Sequence, residues 1–132
     1  MAITRFEDIE AWQTARELTQ QIYKVTAQGQ FTRDYGLRDQ VQRAAVSIMA
    51  NIVHPVKYIR WTISRGRGFD ANSDDEFVRF LSYALRSATE VQSHLYVAAD
   101  QGYISKDEFT QLYNQATEVK KLISGFIRYL KA

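Results

Sequence analysis

The sequence predicts an all-α fold, an antiparallel up-down four-helix bundle with an extra segment between helices 2 and 3. Apolar residues recur at alternating steps of three and four along four stretches, which is the spacing of one helix face. Serine-led capping motifs open two of these stretches. A single proline and six glycines in 132 residues argue against a loop-rich or all-β chain. Because most connections are short and the length suits one core, we expect a single domain over residues 1–132.

The first two helices are expected at about residues 7–28 and 35–52. The first carries the apolar stripe Ala11, Ala15, Leu18, Ile22 and Val25. The second carries Val41, Ala44, Ala45, Ile48 and Ile52. The first helix should end near Gly29, because glycine often follows a helix end. Pro55 disfavours helical geometry at His54, so the second helix should end or kink near Ile52.

The third and fourth helices are expected at about residues 73–100 and 105–130, each opened by a capping box. In one box Ser73 pairs with Glu76, and in the other Ser105 pairs with Glu108. The third helix carries the stripe Phe77, Leu81, Ala84, Ala88, Val91, Leu95 and Ala98. The fourth carries Phe109, Leu112, Ala116, Val119, Ile123, Phe126 and Leu130. Gly102 lies just past the predicted end of the third helix.

A second set of apolar residues falls off these stripes and is rich in tyrosine. It consists of Tyr23, Tyr83, Leu85, Tyr96, Tyr113, Leu122, Ile127 and Tyr129. Aromatic residues are enriched at protein interfaces, so this set predicts self-association. The alternative is that some of these residues only widen the core stripe of a small bundle.

Several classes of function receive no support from the sequence. The chain has no cysteine, which excludes disulfides and thiolate metal sites, and its two histidines, His54 and His94, lie on different predicted elements. Glu90 and His94 are more typical of a surface ion pair than of a metal site. No apolar run is long enough for a membrane span, and the first residues lack a signal peptide's apolar stretch. We therefore expect a cytoplasmic, non-enzymatic protein without metal or cofactor.

Positive charge is concentrated in one part of the chain. Residues 31–68 hold seven basic and two acidic residues, a net charge of +5, whereas the remainder has a net charge of −3. Such a concentration favours a polyanion or an acidic protein as partner. The alternative is a solvated face that is balanced elsewhere.

The predicted insertion, about residues 53–68, combines these cations with aromatic residues. Cations neutralise phosphates and aromatic rings stack on unpaired bases, so the pattern predicts contact with RNA or DNA. The candidate nucleic-acid-binding residues are Arg38, Arg43, Lys57, Tyr58, Arg60, Trp61, Arg65 and Arg67. Residues 56–63 are suited to a short strand or ordered arm, and equally to a helix that continues after a proline kink. The competing interpretation is a protein-interaction arm anchored by Tyr58, Ile59, Trp61 and Ile63.

Four motifs resemble a known family when taken in order. Residues 6–18 (FEDIEAWQTAREL) and 35–52 (YGLRDQVQRAAVSIMANI) are followed by 75–81 (DEFVRFL) and 102–104 (GYI). Together they are similar to the small four-helix-bundle proteins encoded in intervening sequences of bacterial 23S ribosomal RNA genes. The resemblance implies a homopentamer and a relationship to the accessory variability protein of diversity-generating retroelements, a basic pentamer associated with nucleic acid. Residues 53–65 depart from the family pattern, which normally continues from Asn-Ile directly into Ala-Glu-Gly.

Overall fold

The computed structural model describes residues 5–55 and 71–132. Within these ranges the chain forms four α-helices and no strand: α1 (Glu10–Thr26), α2 (Tyr35–Val53), α3 (Ala71–Asp100) and α4 (Lys106–Lys131). Short 3-10 helices, Phe6–Asp8 and Gly29–Arg33, precede α1 and α2. The predicted all-α four-helix bundle is confirmed. The strand, arm or helix predicted for residues 56–63 lies outside the described residues.

The four helices pack in a closed cycle. Helix α1 contacts α2 and α4, and α3 contacts the same two helices, with α2 and α3 sharing the broadest contact. Amphipathic helices reach this arrangement because each stripe is covered by two neighbours. The up-and-down direction of the helices stays a prediction.

The core is built from the predicted stripes. Every stripe residue of α1, α2 and α3 is buried, and in α4 only Phe109 and Phe126, near its two ends, are half-buried. Three further core residues, Ile9, Phe31 and Ile104, come from the connections between helices. Periodicity does not predict them, because a single apolar residue in a connection belongs to no repeating pattern.

The first predicted helix, 7–28, is too long at both ends. Helix α1 begins at Glu10 because Ile9 has an extended backbone and separates it from the 3-10 turn before it. At the other end the N–H of Ala27 bonds to Lys24 O at 3.3 Å and that of Gln28 to Val25 O at 3.2 Å, which tightens the last turn and ends the helix. Gly29 follows with a positive φ of 52°, where glycine has no steric penalty.

Helix α3 starts earlier than predicted and ends as predicted. It begins at Ala71, so Ser73 lies within the first turn and not at the start of the helix. The hydrogen bonds predicted for the Ser73 side chain lie outside the described side chains. Extending an existing helix costs far less than nucleating one, and residues 71 and 72 permit helical backbone. At its other end the N–H of Gly102 bonds to Ala99 O and that of Tyr103 to Ala98 O, the Schellman pattern. Gly102 has the positive φ of 74° that this ending requires.

Two side-chain caps begin α4 and α2. The predicted capping box of α4 is confirmed: Ser105 Oγ accepts from Glu108 N at 3.0 Å, and Glu108 Oε1 accepts from Ser105 N at 2.8 Å. At α2, Asp34 Oδ1 accepts from Leu37 N at 3.1 Å. Asp34 Oδ2 also accepts from the Tyr103 hydroxyl at 3.0 Å, which joins the start of α2 to the α3–α4 connection.

Stability at alkaline pH should depend on Tyr103. Its hydrogen bond to Asp34, together with burial, raises the pKa of the Tyr103 phenol above its ordinary value. The stabilisation that the neutral Tyr103 phenol gives the folded state is complete below the unfolded-state pKa of about 10. It is lost as pH rises through the raised pKa of the folded state. We expect the difference in stability between wild type and Tyr103→Phe to shrink above about pH 10. Urea titrations of both proteins at several pH values would measure it, and a constant difference would contradict the assignment.

The eight members of the tyrosine-rich set differ in burial. Four members, Leu85, Tyr113, Leu122 and Ile127, are half-buried and pack against the core, so for them the wider-stripe interpretation is right. Tyr23, Tyr96 and Tyr129 remain about half exposed, and Tyr83 is half-buried outside the core cluster. Self-association through the exposed group stays a prediction.

No helix in residues 5–55 and 71–132 combines the length and the apolarity that crossing a membrane requires.

Candidate nucleic-acid interface

A polar groove of about 490 Å³ lies between α2 and α3. Its walls carry hydroxyl, amide, imidazole and charged groups from both helices, and one alanine. The lining residues are Gln40, Arg43, Ala44, Ser47, Ser87, Glu90, Ser93 and His94. A groove of this chemistry at a helix–helix seam offers hydrogen-bond partners to a polar ligand.

Hydrogen bonds join the two walls of the groove. The hydroxyl oxygens of Ser47 on α2 and Ser87 on α3 are 3.0 Å apart. Asn51 Nδ2 donates to Ser47 Oγ at 3.1 Å and to the Ser47 carbonyl oxygen at 2.9 Å, which holds the serine from one side. The spacing of four residues between Ser47 and Asn51 places both on one face of α2.

Arg43 is the predicted site residue that lines this groove. Its side chain is exposed, and no carboxylate of the described chain forms an ion pair with it; the ion pairs there involve Arg5, Arg38 and Arg79. An exposed guanidinium without a bound carboxylate keeps its five N–H donors for a ligand. Arg43 is therefore the cation of the groove.

Arg38 lies in a different environment. Its Nη1 donates to Thr32 O at 3.0 Å, its Nε pairs with Asp39 Oδ1 at 3.2 Å, and its guanidinium lies 4.9 Å from the centre of the Tyr35 ring. These contacts hold Arg38 at the start of α2 and partly neutralise its charge. The structure thus does not bring Arg38 into the groove that Arg43 lines.

An aromatic cluster lies at the other end of the α2–α3 seam. The rings of His54 and Phe80 are 4.1 Å apart between centroids, and those of Phe80 and Tyr83 are 5.5 Å apart, both edge-to-face. All three are half-buried, and Phe80 and Tyr83 lie outside the core cluster of the described residues. Arg86 lies 5.5 Å from the Tyr83 ring centre, the geometry of a cation–π contact. Rings and a cation are thus presented together at a surface.

The other predicted site residues lie outside the described part of the chain. They are Lys57, Tyr58, Arg60, Trp61, Arg65 and Arg67. The described ranges hold thirteen basic and fourteen acidic residues, whereas residues 56–70 hold four basic and one acidic. The positive excess is therefore a property of residues 56–70, which lie in the sequence between α2 and α3.

Three residues of the aromatic cluster on the α2–α3 seam are absent from the predicted nucleic-acid-binding residues. They are Phe80, Tyr83 and Arg86. They recur every third residue on α3, which places them along one helix face. That spacing is visible in the sequence. Their position beside His54 on α2 is not, because only the packing of α2 on α3 brings His54 to Phe80.

A second aromatic cluster lies on the α3–α4 seam. The rings of Tyr96, Phe109 and Tyr113 lie between 4.9 and 5.8 Å from one another. Proximity to the Tyr113 phenol, burial and a hydrogen bond to Tyr113 raise the pKa of Tyr96. Behind these rings Gln92 is buried and accepts from Lys120 Nζ at 3.1 Å.

Metal-ligating side chains do not gather in the described part of the chain: it holds no group of three histidine and carboxylate residues placed to bind a metal ion. The expectation of no metal or cofactor stays a prediction.

The family model for 23S rRNA-intervening sequence proteins matches residues 7–57 and 62–125. The chain belongs to the 23S rRNA-intervening sequence protein family. The family inferred from the four motifs is thereby confirmed. A comparison with curated proteins finds no match.

The family match extends into the predicted insertion. It includes residues 53–57 and 62–65 of the stretch 53–65 that departs from the four motifs. Residues 58–61 are the part between the two matched ranges, and they include Tyr58, Arg60 and Trp61. The unmatched part of this 23S rRNA-intervening sequence protein is therefore short, aromatic and basic.

A solved structure has the same fold. It is the crystal structure of a protein of unknown function from the S23 ribosomal protein family of Bacteroides thetaiotaomicron. The two chains are 24% identical, and the match covers 89% of this chain and 97% of that one with a TM-score of 0.71. At this identity the similarity supports the four-helix fold of this family member and nothing about its partners.

Proposed function

We propose that this 23S rRNA-intervening sequence protein is a non-enzymatic, homo-oligomeric bundle that binds nucleic acid, as RNA or ribonucleoprotein, through its α2–α3 face. The observation that carries the proposal is the cluster of His54, Phe80, Tyr83 and Arg86 at the end of the seam. Residues 56–70, the basic part of the sequence, begin directly after the last described residue of this seam, Pro55.

The chemistry of this surface suits single-stranded nucleic acid. Stacking of a base on an aromatic ring contributes about 1–3 kcal/mol and tolerates any sequence, because every base has a π-face. Neutralising phosphates with arginine or lysine releases counterions and makes the affinity depend on salt. Tyr83 and Arg86 supply a ring and a cation side by side, and Lys57, Arg60, Arg65 and Arg67 add the charge that the bundle lacks.

Oligomerisation would multiply this modest surface. Linked copies bind one strand with an avidity well above the affinity of each copy. The exposed tyrosines Tyr23, Tyr96 and Tyr129 are the residues that a second copy would cover. A homopentamer, and the relationship to the accessory variability protein of retroelements, remain predictions from resemblance.

We expect fluorescence anisotropy to detect binding of a labelled single-stranded RNA that weakens from about 50 to 200 mM salt. Tyr83→Ala should lower the affinity by about tenfold, because one base can no longer stack on the ring. Replacing Lys57, Arg60, Arg65 and Arg67 by glutamine should flatten the salt dependence by about 0.7 in log–log slope for each phosphate that is no longer neutralised.

The matched control for these variants is Arg16→Gln on α1, which packs mainly against α2 and α4. It should bind RNA like wild type, and circular dichroism would verify that every variant keeps its helices. Absence of RNA binding at low salt, or an equal loss in Arg16→Gln and Tyr83→Ala, would overturn the proposal.

A second candidate function is a protein-interaction or assembly module, in which residues 53–65 dock on a subunit or a partner. The α3–α4 cluster of Tyr96, Phe109 and Tyr113 favours it, because Tyr96 is about half exposed beside two half-buried rings and aromatic residues are enriched at protein interfaces. Deleting residues 53–65 and measuring the mass by light scattering separates the two functions. An intact oligomer that loses RNA binding supports the nucleic-acid function, whereas dissociation supports the assembly module.

A further inference from the structure

We propose that the polar groove between α2 and α3 is a phosphate-binding site, with Arg43 as its cation and the Ser47–Ser87 pair as its hydroxyl donor. This inference rests on the proposed function and deepens it by naming the chemical group that the groove accepts. The ligand is a phosphate, either from a nucleic-acid backbone or from a free mononucleotide.

The hydroxyl pair has a hydrogen to donate. Two serine hydroxyls carry two hydrogens, and their mutual bond of 3.0 Å uses one of them, whichever serine donates it. Asn51 donates to Ser47 Oγ, so this contact uses neither of the two hydroxyl hydrogens. The second hydrogen has no acceptor elsewhere in the described chain and is available to a ligand oxygen. Ser87 is only 9% exposed and Ser47 is half-buried, so solvent competes less for this hydrogen, whichever serine carries it.

Arg43 supplies the charge that selects an anion. Its planar guanidinium matches two oxygens of a phosphate, which makes arginine a preferred ligand for this group. Gln40 and His94 line the same groove and add further side-chain hydrogen-bond groups. A phosphate at this site would therefore meet donors from both helices.

Glu90 is the group that opposes an anion in the groove. Its carboxylate lines the same cavity and repels a phosphate, so the site should be weak. This opposition makes the inference sharply testable, because a cation ligand would need Glu90 and be repelled by Arg43. Neutralising the two residues must change phosphate affinity in opposite directions.

The experiment is a titration of inorganic phosphate into the full, ¹⁵N-labelled chain at constant ionic strength, with chloride as the reference salt. Resonances of Arg43 and Ser87 should shift with phosphate and not with chloride. Arg43→Gln should weaken phosphate binding by about tenfold, the effect of removing a charge-assisted hydrogen-bond pair. Glu90→Gln should tighten it by about threefold, since a nearby like charge is removed. Arg16→Gln, on helix α1, should leave it unchanged.

Two results would overturn the inference: no phosphate-specific shift at Arg43 or Ser87, or a Glu90→Gln variant that binds phosphate more weakly. Ser87→Ala is a small change that preserves the helix, and it should also weaken phosphate binding. It tests the site independently in case Arg43→Gln disturbs the fold.

RNA and adenosine 5′-monophosphate identify the source of the phosphate. If Arg43→Gln lowers RNA affinity, the site holds a backbone phosphate; if it lowers only the affinity for the mononucleotide, the site holds a free nucleotide. Either result supports the site. Phosphate binding without RNA binding would support the groove and overturn the proposed function. The opposite result is RNA binding that neither Arg43→Gln nor Glu90→Gln changes, together with no phosphate-dependent shift of a resonance. It would support the proposed function and overturn the phosphate site in the groove.

Discussion

Replacing Ile48 by alanine is expected to lower the free energy of unfolding by about 3 kcal/mol, within the range of about 2–5 kcal/mol for such core truncations. Ile48 lies on the buried stripe of α2 and is 0% exposed. The truncation removes apolar area from the core and leaves a cavity that the packed helices fill only in part. Urea denaturation followed by circular dichroism would measure the change as a lower midpoint at unchanged slope.

The matched control is Val46→Ala on the same helix. Val46 is two residues away but 43% exposed, so its truncation should change the free energy of unfolding by less than about 0.5 kcal/mol. Similar losses in the two variants would mean that α2 does not bury the face described.

Replacing Asp34 by alanine is expected to have the second-largest effect. The change removes the N-cap of α2, which typically contributes about 1 kcal/mol, and also the acceptor of the Tyr103 hydroxyl. The loss should therefore exceed that of an ordinary cap. Thermal and urea unfolding would measure it.

A double-mutant cycle with Tyr103→Phe separates the two roles of Asp34. The two changes should be less than additive, because each removes the same Asp34–Tyr103 bond. Asp39→Ala is the control: Asp39 is exposed on the same helix and its pair with Arg38 should contribute less than about 1 kcal/mol. Strict additivity of Asp34→Ala and Tyr103→Phe would contradict the hydrogen bond.

The buried faces of the helices could be predicted almost completely. Leu18, Ile48 and Leu81 are buried as their spacing indicates, because a helix period of 3.6 turns every third or fourth residue to the same side. The capping box at Ser105 was equally predictable, since all its groups lie within four residues. The start of α3 was not: Ser73 carries the same local motif, and yet the helix begins at Ala71. A local capping signal competes with the continuation of the helix, and the motif alone does not decide between them.

The candidate site was predictable only in part. Arg43 was predicted and lines the groove, whereas Arg38, five residues earlier, was predicted and lies elsewhere. The positive charge of both residues is visible in the sequence. Which of them lies in a groove beside a neighbouring helix depends on how the helices pack. Ser87 carried no signal in the sequence, because a serine on a helix is usually a solvated surface residue.

The role of the basic, aromatic stretch between α2 and α3 stays a prediction. By itself the sequence determined the helices, their buried faces, the family and the location of the positive charge, because each depends on residues close together in the chain. Three contacts were decided only by the tertiary structure. They are the hydrogen bond from the Tyr103 hydroxyl to Asp34, the hydrogen bond between the Ser47 and Ser87 hydroxyls, and the ring contact between His54 and Phe80. These contacts join residues 26 to 69 positions apart, and only the packing of one helix or connection against another brings them within bonding distance.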